Sequence, residues 1–221
     1  MNPTQLVRSK TPQPGVTLAS WLSAVPDFAL GAVFLVTWVA PYTFGELMVS
    51  YLVLVMLMEF IIIHSSVFLG SVFVADTPKR KKSLTLIGVG MFYTLFVGGF
   101  SLAFGEWWPL VAFWAMIVNR LLGVLLGKAP TGTEKDLLRK SWATNILWYL
   151  VFAFVTILLP MPEFGISSAV IARQDFSSEG IWIDEPYRAA AFGFLYFTAV
   201  GLTELYSYRW PHIKLSPAKP D

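Results

Sequence analysis

The chain has 221 residues, 56% of them hydrophobic and only 14% charged, against about a quarter charged in ordinary soluble domains. Sixteen Lys and Arg against fourteen Asp and Glu leave a net charge of +2, a surplus too small to suggest nucleic acid. The absence of cysteine excludes disulfides, iron–sulfur clusters and thiolate catalysis, and with only His64 and His212 a multi-histidine metal site is excluded too.

This is the composition of a chain whose solvent is the bilayer. The fold class it predicts is all-α, a polytopic membrane helix bundle of about six transmembrane helices with both termini inside. Residues 1–19 read as a polar cytoplasmic segment, 20–208 as the bundle and 209–221 as a cytoplasmic tail. No A-x-A-like cleavage site follows Phe28 to Ala40, so the first apolar run reads as a retained anchor.

A hydrocarbon core of about 30 Å takes about 20 apolar residues of helix. The first such run spans Pro26 to Tyr42, preceded by an interfacial segment around Trp21. The second, Leu47 to Ala75, is long enough that it must tilt, bend near Gly70 or extend beyond the membrane. After DTPKRKKS the third runs from Leu84 to Phe104, and GEWWP turns it tightly into the fourth, Trp108 to Gly127. In KAPTGTEKDLLRKS, Thr133 and Asp136 are spaced as a helix start, so an amphipathic stretch feeds the fifth span, Ala143 to Leu159. Residues Glu163 to Tyr187 form the one long connection, and Asp184, Glu185 and Pro186 suit the first turn of the sixth span, which ends near Tyr208.

Direction follows from the basic residues. With the N-terminus inside, thirteen of the sixteen Lys and Arg fall in the cytoplasm, Arg173 and Arg188 fall outside, and Arg120 lies within a span. Trp38, Trp107, Trp108 and Trp182 mark the outer interface, and Trp21, Trp142 and Trp210 the inner one. The cluster Lys79, Arg80, Lys81 and Lys82 reads as topogenic and as a contact for anionic lipid headgroups. The stretch from Tyr51 to Gly70 resembles bacterial polytopic membrane proteins in its general character, which places the chain in a bacterial inner membrane.

An ionisable side chain at mid-bilayer costs roughly 2.5 to 3.5 kcal/mol on insertion scales and therefore faces a bundle interior. The candidates are Glu59 and His64 on the second span, Arg120 on the fourth with Asn119 beside it, and Glu204 on the sixth, with Ser66 on the Glu59 face. Counting from Glu46 and from Trp107 puts Glu59 and Arg120 at one level, about 20 Å from the outer boundary, so an ion pair between them is expected. His64 and Glu204 share a second level nearer the cytoplasm and form a second candidate pair. Each charge lies on a small-residue stripe: Gly70 below Glu59, Gly123 and Gly127 below Arg120, Gly193 and Gly201 above Glu204. Three helices are thus expected to meet around one cluster of charge.

No G-x-S-x-G, HEXXH, G-x-x-x-x-G-K-[ST] or G-x-G-x-x-G occurs, so neither hydrolysis nor nucleotide binding has a motif, and no cofactor is implied. Two readings remain. One is a small, oligomeric channel or transporter-like unit whose polar path uses these charges. The other is a non-catalytic subunit of a larger membrane complex, in which the charges only hold helices in register.

Overall fold

The computed structural model describes residues 16–75, 77–127, 131–174, 176, 179–206 and 208. The described residues form helices and connecting turns, with no strand among them. The tail 209–221, Trp210 and residues 1–15 lie outside the described residues.

Helix α1 spans Leu18–Val39, eight residues earlier than the apolar run suggests. The cause is local. The Thr17 hydroxyl accepts from the Ser20 amide and the Ser20 hydroxyl accepts from the Thr17 amide, a reciprocal cap that starts the helix ahead of Pro26. Trp21 therefore belongs to α1 itself rather than to a separate interfacial segment. Helix α2 runs unbroken over Met48–Val74. Gly70 marks a close approach: a Cβ there would sit 2.0 Å from the Trp142 ring.

Helix α3, Lys79–Phe104, takes the whole KRKK cluster into its first turns and turns into α4, Trp108–Leu126. Gly105 (φ 67°) closes the turn in the left-handed region, with its amide bonded to Leu102 and the Glu106 amide to Ser101. Lys79 Nζ donates to the Leu125 carbonyl at 2.9 Å, so one of the four cations caps the far end of the same hairpin.

Helix α5, Gly132–Leu158, is continuous from its polar start to its apolar end. Its cap is Thr131 with Glu134 rather than Thr133 with Asp136, because only the former pair exchanges both backbone amides. The long connection holds two short helices, α6 (Ser168–Ile171) and α7 (Ile181–Asp184), before α8, Pro186–Leu205, which has proline at its first position. The connection is tied down. Trp38 Nε1 donates to the Pro162 carbonyl, and the buried Gln174 holds the Ser50 amide and the Glu46 carbonyl at the start of α2. Arg188 Nη1 donates to the Thr156 and Leu159 carbonyls, closing the end of α5.

Helices α1 to α5 are each long and apolar enough to cross a membrane, and large apolar side chains such as Leu95, Leu102 and Leu126 lie on the outside. The chain is a multi-pass integral membrane protein. Helix α8 fails that test of composition because it faces protein: thirteen of its residues are buried, including Ala189 to Gly193. It packs antiparallel to α1 through its glycines, where a Cβ on Gly193 would lie 2.2 Å from the Phe34 ring and one on Gly201 3.0 Å from Phe28. The described ends of the chain consequently meet at one end of the bundle, the end that also carries Lys79 to Lys82 and the start of α5.

Two cores result. One joins α1, α2, α5 and α8 around Phe34, Met56, Tyr149, Phe192 and Tyr196. The other joins α2, α3 and α4 around Leu54, Leu86, Tyr93, Phe113 and Ile117.

Candidate functional site

The intramembrane charges divide between these two cores instead of meeting in one place. Glu59 accepts a 2.6 Å hydrogen bond from the Tyr196 hydroxyl on α8. Arg120 donates from Nη2 to the Ser66 hydroxyl at 2.9 Å, two helical turns further along α2. The expected Glu59–Arg120 ion pair does not form. The error lies in the depth count: Tyr51 donates to Glu106 at 2.9 Å, so Trp107 is level with about the fiftieth residue of the chain and not with Glu46. That offset of about four residues lowers Arg120 toward Ser66, the residue it bonds, which lies seven residues and about 10 Å below Glu59.

The second pair fails for a different reason. His64 and Glu204 point to different neighbours. His64 Nδ1 bonds the Tyr93 hydroxyl at 2.7 Å, and its ring stacks on Phe60 at an exposed edge of α2. Glu204 accepts from Ser23 on α1 and from Tyr208 at 2.9 Å. Asn119 is exposed beside Arg120.

The residue that pattern reading missed is Asp27. Read as the second residue of a helix starting at Pro26, it lies at the membrane edge; with α1 starting at Leu18 it lies nine residues inside. Asp27 is within electrostatic reach of both Glu204 and Glu59, and Tyr196 is within reach of Glu59, Asp27 and Tyr149. The cluster is thus three carboxyl groups from α1, α2 and α8. Its hydroxyl partners are Ser23, Tyr196 and Tyr208, and none of its three carboxylates is ion-paired among the described residues. Tyr208, just past the end of α8, also shares a hydrogen bond with the Ser141 hydroxyl at 3.0 Å, and burial pushes its phenol well above the ordinary tyrosine value.

The carboxylates form a staggered series. Glu204 lies beside the end of α8, Asp27 about 13 Å into α1, and Glu59 about 22 Å from the Val74 end of α2. Beyond Glu59 the way is closed by aromatic rings. Tyr149 packs on Phe192 at 4.7 Å between centroids, and Trp182 packs on Phe192 at 5.2 Å.

Arg120 has a different setting. With Asn119, Gly123, Gly70, Leu138 and Trp142 it lines a cavity of about 380 Å³ between α2, α4 and α5. Gly123, on the small-residue stripe below Arg120, lines this space. No group of three or more metal-ligating side chains occurs among the described residues. Compared with known proteins, the chain matches no family model, no curated protein and no solved structure.

Proposed function

We propose that this chain is a proton- or cation-handling membrane unit, a small transporter-like protein whose path enters at the basic end and runs through Glu204 and Asp27 to Glu59. The observation that carries the reading is the uncompensated acidic cluster. Three carboxyl groups, with Asp27 in reach of both Glu204 and Glu59 and no cation paired with any of them among the described residues, repel when all are charged. The arrangement is suited to sharing protons or to accepting a cation between Asp27 and Glu59. Serine and tyrosine hydroxyls bonded to Glu59 and Glu204 can both donate and accept, which a relay requires. The aromatic seal beyond Glu59 favours alternating access over an open pore.

In this reading α8 makes a sixth crossing, and the basic end, with both termini, faces the cytoplasm of a bacterial inner membrane, as the distribution of Lys and Arg supports. Lys79, Arg80, Lys81 and Lys82 then meet anionic headgroups. In a second reading the chain is a subunit of an oligomer or larger complex. That reading is favoured by Gly88, Gly98 and Gly99 on α3, each of which has open space beside it where a partner helix fits.

Reconstitution in liposomes separates the two. A membrane potential should drive proton or monovalent-cation uptake by the wild type. Asp27→Asn and Glu59→Gln should each abolish it in protein that still elutes as a folded species, and Glu106→Gln, in the other half of the bundle, should leave it intact. Wild-type liposomes no leakier than empty ones, together with stoichiometric co-purification of other subunits in mild detergent, would decide for the second reading.

A further inference from the structure

The Arg120 cavity has a continuation. A second, smaller space of about 190 Å³ lies between α2 and α5 and is lined by Phe60, Ile63, His64, Val67, Ile146 and Leu150. On α2, Ile63 and Val67 of this slot and Gly70 of the cavity follow one another at four- and three-residue steps. On α5, Leu138 and Trp142 of the cavity and Ile146 and Leu150 of the slot follow at four-residue steps. Residues at such steps share one helix face, so the slot lies directly beyond the cavity along a single seam, about 12 Å further toward mid-membrane.

The two ends of the seam differ in chemistry. At the inner end Arg120 lines the cavity, gives one N–H to Ser66 and has no carboxylate partner among the described residues. None of the described residues lining the cavity is acidic, and Asn119 adds an amide. Trp142 lies at the level where an indole meets a headgroup region. At the outer end the walls are aliphatic and aromatic, and Phe60 (47% exposed) and Val67 (38%) open the slot to the surrounding lipid.

We infer that the α2–α5 seam binds an anionic phospholipid, with its phosphate held by Arg120 and Asn119 and one acyl chain laid along the slot past Ile146 and Val67. A guanidinium fork matches a phosphate through two parallel hydrogen bonds, and an apolar slot in line with it fits an amphiphile rather than a free anion. The volume at the head end falls in the range of about 300 to 1,000 Å³ of ordinary ligand pockets. Tyr149, which also lines the slot, is the one residue shared with the packing around Glu59, and no carboxylate lines either space among the described residues.

Native mass spectrometry of the delipidated protein, titrated with phosphatidylglycerol or with phosphatidylcholine of the same chains, tests the assignment. The wild type should retain one phosphatidylglycerol in clear preference to phosphatidylcholine. Arg120→Gln should weaken that retention by about tenfold or more, the scale of a lost charge-assisted hydrogen bond. Val67→Trp, which fills the slot and leaves Arg120 untouched, should weaken it as well, and it keeps the test valid if the Arg120 variant fails to fold. Equal retention by the wild type and Val67→Trp, with inorganic phosphate raising the melting temperature as much as the lipid does, would overturn the lipid assignment in favour of a soluble anion. Equal retention by the wild type and a folded Arg120→Gln would remove the site altogether.

Discussion

The α1–α8 side of the bundle and the α3–α4 side both pack against α2, and they fill their interiors by different means. On the first side two helices approach through glycine, aromatic rings lock edge to face, and carboxyl groups sit among hydroxyls. On the second the contact is mostly aliphatic, the hairpin is closed by a glycine turn and a lysine cap, and the outer faces are open to lipid. Hydrocarbon already surrounds both hairpins, so apolar contact alone adds little driving force for helix association. Close packing and buried hydrogen bonds therefore have to specify the α1–α8 side, which leaves it the more sensitive to change.

The largest expected effect contrasts two glycines. Gly193→Leu should prevent assembly, because even a Cβ there meets the enclosed Phe34 ring, whereas Gly98→Leu, with open space beside it, should leave the melting temperature of the purified protein almost unchanged. Equal tolerance at both positions would mean that α1 and α8 do not approach as closely as described.

Next in size is Tyr196→Phe, which removes the only hydrogen-bond donor to Glu59 among the described residues and should cost about 1 to 3 kcal/mol. Tyr93→Phe, whose partner His64 sits at an exposed edge, should cost less than 1 kcal/mol when measured the same way. A double-mutant cycle sharpens the division of charge further. Ser66→Ala with Arg120→Gln should show coupling of about 1 kcal/mol, while Glu59→Gln with Arg120→Gln should be additive. Coupling in the second cycle would restore the ion pair that the depth count suggested.

The smallest effect concerns the anchor between α5 and α8. The hydrogen bond from Arg188 holds the Glu185 carboxylate below the ordinary glutamate value. A depressed carboxylate contributes stability that is present above the ordinary value of about 4.3 and lost as pH falls through the lower folded one. Acidification below about pH 4 should thus speed hydrogen exchange at the end of α5 in the wild type, and Glu185→Gln should remove that dependence.

Much of this arrangement was legible in the chain. The apolar runs locate α2 to α4, the GEWWP turn predicts the hairpin, Pro186 marks the start of α8, and the glycines near Glu204 do face a neighbouring helix. What escaped has physical causes. Pro26 reads as a helix start, although a proline inside a helix is tolerated in hydrocarbon, and that reading pushed Asp27 to the membrane edge. Depth counted from helix ends fails because α2 overhangs its neighbours, with Tyr51 level with Glu106. Tyrosines carry no charge that marks them out in an apolar run, so the roles of Tyr196 and Tyr208 as partners of the carboxylates emerge only once the helices are packed.

The modest apolarity of α8 bears on how the protein is made. A helix that carries Arg188 near its start and Glu204 near its end gains little from lipid alone, since such residues cost roughly 2.5 to 3.5 kcal/mol each at the centre of a bilayer and somewhat less near its edges. Its natural solvent is the groove beside α1, α2 and α5, which exists only after those helices are already in the membrane. Helix α8 would then be recruited by α1, through an act of tertiary recognition rather than by partitioning into lipid.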